Sequence, residues 1–299
     1  MPAYAIAIIV VAIVVIIVVA VVILLRRRMQ AADIYMTHGK FGTILVFNIE
    51  DDKGEPIRVL NVKGMYQSST YLDDRYAELI FSYYKLYDHM FEADIPLERV
   101  LMIGGGGYSY PKHFIASQPD GRIDVIEIDP KITRIAERYF FLDRLKEEYE
   151  TDETGRLGLI CGDGRKYLDE LAAVLNGTAP AGALEAGRKK YGDTFGEPYD
   201  AILNDSFSGA DPSPCLTTLE ATRSIHACLT EGGMYLSNVV SGLKGERGSF
   251  MRAILATLHE VFNNVYVIPC GPDMLGDCDN NLVIATDATY FFTDTYDME

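Results

Sequence analysis

Four consecutive glycines, Gly104 to Gly107, follow directly on the apolar run Val100-Leu-Met-Ile103. The run has the length of a buried strand, and the glycines permit a turn that side chains would forbid. Pro111 stands where a helix over Lys112 to Ser117 is expected to begin. About 20 residues after the glycines comes a second apolar strand, Ile123-Asp-Val-Ile-Glu-Ile-Asp129, which ends in acids. Strand, glycine turn, helix, strand and acid together form an arrangement that binds a nucleoside-containing cofactor. Nicotinamide, flavin and S-adenosyl groups all use it.

Acids recur at the ends of the expected strands. Glu127, at the carboxyl end of the second strand, can accept hydrogen bonds from both ribose hydroxyls of a nucleoside. Asp129 sits before Pro130 and reads as a helix N-cap. In Cys161-Gly-Asp-Gly-Arg165, Asp163 with Gly164 can cap the next helix, reach an adenine amino group, or do both. Asp205 closes the fourth strand, in Tyr199-Asp-Ala-Ile-Leu-Asn-Asp205, at the sheet edge that carries the glycines. A carboxylate there faces the reacting end of a cofactor. It could orient and deprotonate an amine before attack on a sulfonium-activated carbon. Asp211 follows in the same segment with a weaker case. Upstream, Gln67-Ser-Ser-Thr-Tyr-Leu-Asp-Asp-Arg-Tyr76 leads into an expected helix. Capping explains Ser69, Asp73 and Asp74 but not Gln67, which could fold over the pocket as a lid, nor Tyr76. His38, His89, His113, His226 and His259 show no metal-ligand spacing, and neither a Ser-His-Asp arrangement nor a phosphate-binding loop is apparent.

The elements that must position these residues alternate strand and helix from about residue 97 onward. Strands are expected at Val100–Ile103, Ile123–Ile128, Leu157–Cys161, Ala201–Asn204, Met234–Val240, Val265–Pro269 and Leu282–Ala285. Helices are expected at Pro130–Tyr139, Gly164–Leu175, Thr217–Leu229 and Gly248–Phe262, with a loop insertion over Asn176–Pro198. This predicts an α/β fold, a doubly wound Rossmann-like sheet over residues 97–299. The last two strands have no helix between them and should pair as an antiparallel hairpin, the mark of methyltransferase-type sheets by fold analogy. Ahead of it, residues 29–72 read as a small β unit. Its runs are Thr43–Ile49 and Ile57–Val62, joined by a turn over Glu50–Pro56. Residues 73–96 read as a linking helix, with aromatic and apolar side chains from Tyr76 to Met90 at helical spacing and facing the core.

The chain has 299 residues and a net charge of −16, which argues against a nucleic-acid partner and suits a cationic substrate as well as plain solubility. Residues 4–25 carry no charge and are rich in Ile, Val and Ala, with Arg26, Arg27 and Arg28 next. Such a segment is long enough to span a membrane with its basic end in the cytoplasm. The sequence therefore predicts a single-pass anchor over residues 1–28 and a cytoplasmic catalytic part. Five scattered cysteines, Cys161, Cys215, Cys228, Cys270 and Cys278, read as buried thiols in a reducing compartment.

Taken together, the segments Gln67–Glu78, Val100–Gly107, Val125–Asp129, Gly162–Gly164, Tyr199–Pro214 and Leu229–Asn238 resemble the spermidine synthase (polyamine aminopropyltransferase) family, over roughly residues 42–285. The chain looks like the divergent, membrane-linked branch of that family. The resemblance implies a transferase that moves an aminopropyl group from decarboxylated S-adenosylmethionine to putrescine or a similar amine. Gln67, Gly104, Gly105, Gly106, Glu127, Asp163, Gly164 and Pro214 would hold the nucleoside. Asp205 would accept the proton, Tyr76 would help bind the amine, and no metal would be needed. A homodimer through the small β unit would follow by analogy. Gly107 departs from this pattern, since the family keeps an amine-binding Asp there; Leu72 and Ala77 also depart. Methyl transfer from S-adenosylmethionine, or a non-catalytic nucleoside- or polyamine-binding role, are the alternatives on the same fold.

Overall fold

The computed structural model describes residues 9, 12–24, 34–208, 211–271, 278–296 and 298. Strands β1 (Tyr35–Gly39), β2 (Gly42–Glu50), β3 (Pro56–Val62) and β4 (Met65–Tyr71) form one antiparallel sheet in chain order. Alternation along β2 buries Ile44 and Val46 on one face. The β3–β4 turn places Lys63 and Gly64 at φ 52° and 87°, the two left-handed positions of a tight hairpin, and Asn61 Oδ1 accepts the Gly64 N–H at 3.0 Å. The small β unit is thus a complete four-stranded meander, two strands richer than its apolar runs suggested.

The second sheet contains β5 (Arg99–Ile103), β6 (Arg122–Glu127), β7 (Leu157–Cys161), β8 (Tyr199–Asn204), β11 (Leu229–Ser241), β12 (Asn264–Pro269) and β13 (Asp279–Thr286). A short ribbon, β9 (Phe207–Ser208) with β10 (Asp211–Pro212), lies beyond β8. The order is β12-β13-β11-β8-β5-β6-β7. Strands β11, β8, β5, β6 and β7 run parallel, and β13 is antiparallel to both β11 and β12. The expected antiparallel ending is present, and this is an α/β methyltransferase-like fold with a mixed central sheet. Alternate residues of β5 serve opposite faces. Val100 and Met102 join the core shared with the small sheet, and Leu101 and Ile103 join the other core. Burial on both faces explains why these strands read as continuous apolar runs.

Register brings the strand ends into line. Ile103 pairs with Ile126 and with Asn204, and Glu127 pairs with Cys161. The segments that leave these ends, beginning at Gly104, Ile128, Gly162 and Asp205, therefore share one edge. The edge includes the point where β5 has β6 on one side and β8 on the other, which is where open sheets of this kind leave a crevice.

Three expectations are corrected. In place of the helix expected over 73–96 there is a four-residue helix, Ser82–Lys85, running into a 3-10 segment, Leu86–Glu92. Before it, Asp73 Oδ1 accepts the Arg75 N–H at 2.9 Å and the Tyr76 carbonyl accepts the Thr70 hydroxyl at 3.0 Å, and these local bonds compete with helix formation. The cysteines are all free, but only Cys228 is buried, with Cys161, Cys215 and Cys278 exposed. The single-pass membrane placement is overturned, because among the described residues no helix is long and apolar enough to cross a membrane. Of the segment 4–25, only residue 9 and the helical stretch 12–24 are described; the rest, with the three arginines, lies outside the described residues.

Candidate active site

The glycine turn is held by contacts that only glycine permits. Gly104 has φ +96°, and a Cβ there would lie 2.6 Å from the Asp205 carbonyl oxygen. This close approach lets β5 and β8 release their chains side by side at the cleft. Three N–H groups of the run have protein acceptors: Gly104 donates to the Ile126 carbonyl at 3.0 Å, Gly105 to Glu127 Oε2 at 2.9 Å, and Gly107 to Ser68 Oγ at 2.7 Å. Where a Gly107 side chain would start, Ser68 Cβ stands 2.7 Å away and Phe140 Cδ1 2.8 Å away.

A single cleft at this edge gathers Gln67, Gly104, Gly106, Glu127, Asp163, Gly164 and Asp205. The small sheet supplies the opposing wall through Phe41, Ile44, Leu60 and Val62, and Ser213, Cys215 and Leu216 close the side beyond β8. Backbone donors hold the acids along β6 and β7. Glu127 is buried at 8% exposure; burial raises its carboxyl, while the N–H groups of Asp129, Gly105 and Gly106 pull it back. Its Oε1 accepts the Asp129 N–H at 2.8 Å. Asp129 caps the helix Pro130–Tyr139 through the Lys131 N–H at 3.0 Å, as expected, and also takes the Lys40 N–H at the tip of the β1–β2 hairpin. Asp163 caps the helix Gly164–Leu175 through the N–H groups of Arg165 and Lys166 at 2.9 and 3.2 Å. Gly164 packs so tightly on β5 that a Cβ would meet Ile103 Cγ2 at 2.5 Å.

Asp205 lies across the turn from these acids. Its Oδ1 accepts the Asn238 side-chain N–H at 3.0 Å, and buried Tyr83, Tyr84 and Tyr87 surround it. Burial among them raises the carboxyl to about 7, against the opposing pull of the Asn238 hydrogen bond. A carboxyl in this range, on a cleft wall, is suited to accept a proton near neutral pH.

Other expected site residues stand apart. Tyr76 is buried outside the cleft, with its hydroxyl donating to Glu148 Oε2 at 2.8 Å and its ring under the Arg144 guanidinium. Pro214 is exposed at the start of a 3-10 turn, between the lining residues Ser213 and Cys215. Gly105 lies behind the turn, against the Tyr108 ring. Sequence reasoning missed the hydrophobic wall from β2 and β3, the Asn238 amide and the tyrosines around Asp205. The signal for the last was present, since buried phenols need partners and Tyr83, Tyr84 and Tyr87 fall within one short segment. Among the described residues no group of three or more His, Cys, Asp or Glu side chains could hold a metal ion.

No family model matches the chain. Over 147 residues, 49% of its length, the chain is 31% identical to the polyamine aminopropyltransferase of Vibrio vulnificus (strain CMCP6), of which it covers 39%. It is 29% identical over 94 residues to the polyamine aminopropyltransferase of Nitrosococcus oceani, covering 31% of that protein. The chain thus spans well under half the length of these curated relatives. Its fold matches a probable spermidine synthase from Corynebacterium glutamicum with a TM-score of 0.63 and 21% identity, over 86% of this chain and 81% of that one. The chain is spermidine synthase-like. A spermidine synthase in complex with the transition-state analogue AdoDATO has the same fold, with a TM-score of 0.58 at 17% identity over 85% of this chain and 74% of that one. The spermidine synthase-like chain also has methyltransferase relatives. It is 25% identical over 169 residues (56% of this chain) to the eEF1A lysine and N-terminal methyltransferase of Danio rerio, of which it covers 20%. Human methyltransferase-like protein 13 in complex with SAH gives a TM-score of 0.50 at 20% identity, over 72% of this chain and 86% of that one. These likenesses do not single out a membrane-linked branch.

Proposed function

We propose that this chain is an aminopropyltransferase that uses a decarboxylated S-adenosylmethionine as donor and an amine as acceptor. The spermidine synthase named above is bound to AdoDATO and the methyltransferase to SAH, which supports a donor of the S-adenosyl type. In this reading Glu127 takes the ribose hydroxyls on its remaining lone pairs and Asp163 with Gly164 borders the adenine. Gln67, Gly104 and Gly106 border the sulfonium, and Pro214 spaces the Ser213–Cys215 wall. Tyr76 has no part in it, because its hydroxyl is spent on Glu148.

The observation that carries the choice of donor is the engagement of the Gly104, Gly105 and Gly107 N–H groups, at 3.0, 2.9 and 2.7 Å. An amino-acid carboxylate at the sulfonium end would find those donors taken. Among the described residues Arg165 is the one Arg or Lys that lines the cleft, and it is anchored by Asp169 at 2.9 Å and the Cys215 carbonyl at 2.8 Å. An aminopropyl chain carries no carboxylate, and its ammonium suits a wall that bears Asp205. Desolvating an unpaired carboxylate would cost several kcal/mol.

The acceptor nitrogen passes its proton to the free oxygen of Asp205. The nitrogen lone pair then forms a bond to the propyl carbon attached to the sulfonium. The carbon–sulfur bond breaks with its electron pair on sulfur, leaving a neutral thioether nucleoside. Mass spectrometry of reactions between the decarboxylated donor and a panel of amines, putrescine included, tests this. An aminopropylated amine that disappears with Asp205→Asn supports the reading. Methylated product from S-adenosylmethionine, with none from the decarboxylated donor, would establish instead the second reading, methyl transfer, which the methyltransferase relatives support.

A further inference from the structure

β8 stops at Asn204, but β11, which runs parallel to it with Ser237 opposite Asn204, continues to Ser241. The extra length puts Asn238 level with Asp205. Alternation sends both side chains to the face that carries Leu203 and Leu236, and there the Asn238 amide donates to Asp205 Oδ1 at 3.0 Å. On the opposite face the Asn204 amide donates to the Tyr235 hydroxyl at 2.9 Å and to Ser237 Oγ at 3.2 Å, and its Oδ1 accepts the Ser206 hydroxyl at 2.6 Å. The Asp205 N–H donates to the Ile103 carbonyl at 2.9 Å. The end of β8 is thus tied to β11 on both faces of the sheet. The overhang of β11 is held from its far side by β13. Asn238 pairs with Leu282, and the Asn281 amide donates to the Val239 and Ser241 carbonyls at 3.3 and 2.9 Å. Asn238 itself is 5% exposed.

We propose that Asn238 is a positioning residue for Asp205, its amide holding one carboxylate oxygen so that the other faces the acceptor amine. The inference rests on the assignment of Asp205 as proton acceptor and adds the residue that aims it. It also gives the antiparallel ending of the sheet a task, since β13 keeps the overhang of β11 in place beside the reacting end. A donor held against a carboxyl favours its charged form, whereas burial opposes that form. The groups that face Asp205 are the phenols of Tyr83, Tyr84 and Tyr87 on the segment packed over it, the Asn238 amide on β11, and the backbone of Gly104 at the end of β5. All three phenols are held neutral by burial, so the Asp205 carboxyl carries the titration.

Two substitutions test this. Asn238→Leu keeps nearly the same side-chain shape and removes the donor, and Asn238→Asp sets a second carboxyl in its place. The midpoint of the acidic limb of kcat/KM should rise by about one unit with Leu, and so should that of the Asp205 carboxyl followed by 13C NMR, its signal assigned by its absence in Asp205→Asn. Both should rise further with Asp, because two carboxyls that share a site resist double ionisation. Above the midpoint, Asn238→Leu should lower kcat about tenfold while donor binding by calorimetry stays within twofold. An unmoved midpoint in either folded variant would reduce Asn238 to a packing residue and overturn the inference. The NMR titration does not require turnover. Midpoints that move as stated in a protein inactive towards every amine would defeat the proposed reaction while upholding the hold of Asn238 on Asp205.

Discussion

Along β6 and β7, Glu127, Asp129 and Asp163 all take backbone N–H groups; beyond β8, Asp205 takes the side-chain amide of Asn238 among buried tyrosines. Backbone donors are fixed by the strands and helix starts that supply them, so the first group is part of the framework. The second arrangement depends on a side-chain donor and on burial, which raises the carboxyl to about 7. In the proposed reaction, the rigid end recognises a nucleoside whose hydroxyls do not change. The adjustable end handles a proton that is there at one moment and gone the next. In that reading one cleft would separate binding from chemistry by the kind of donor each carboxyl meets.

The largest effect should come from Asp205→Asn. Transfer should fall by roughly 10²- to 10⁴-fold, the usual contribution of a positioned base, while donor binding by calorimetry stays within a few-fold. The same change should stabilise the fold above neutral pH. A carboxyl raised from 3.8 to about 7 in the folded state makes stability fall as pH rises through that interval, and the amide removes this dependence. Urea unfolding at pH 5 and pH 8 would show it; a variant as destabilised as any core mutant would break the contrast between the two ends. Next, Glu127→Gln should weaken donor binding by about 10- to 100-fold, in line with losing a charged hydrogen bond, with a smaller change in kcat. The amide nitrogen would also face the N–H of Gly105 or Asp129, so a lower Tm should accompany it.

Gly107→Asp should cost about 1–3 kcal/mol in denaturant unfolding, because its Cβ runs into Ser68 and Phe140, and it should not raise turnover with diamines. A gain of diamine activity would show that the reacting end is more adaptable than its packing suggests. A last effect concerns Lys112, which is fully buried and donates to the Phe140 carbonyl at 2.7 Å and to Thr70. Burial lowers its ammonium from 10.5 to about 7. The unfolded chain binds the proton more readily across that range, so stability should rise with pH between those two values, and Lys112→Met should flatten the slope. An unchanged slope in urea titrations would mean that other groups set it.

The sheet was legible because its strands are buried on both faces and so read as uninterrupted apolar runs ending at glycine or acid. The places of Glu127, Asp129 and Asp163 at the cleft were legible for the same reason, since a strand end fixes where its last residue points. Residues 73–91 were not. Their aromatic spacing imitates a helix, while Asp73 and Thr70 bind the backbone locally and the tyrosines satisfy long-range partners such as the Gln67 and Asn204 carbonyls. The same long-range pairing hid Tyr84 and Asn238, which lie far from Asp205 in sequence and meet it only through the fold. Tyr76 was misplaced because its partner, Glu148, belongs to a helix 72 residues away. The cleft wall from β2 and β3 escaped notice because apolar strand residues look alike whether they face a core or a ligand.

Calorimetric titration of the protein with S-adenosylmethionine and with its decarboxylated form decides the donor. With the Gly104, Gly105 and Gly107 N–H groups engaged and Arg165 anchored, the decarboxylated nucleoside should bind at least about tenfold more tightly, a difference of roughly 1.4 kcal/mol. Tighter binding of the carboxylated nucleoside would rule out the decarboxylated donor.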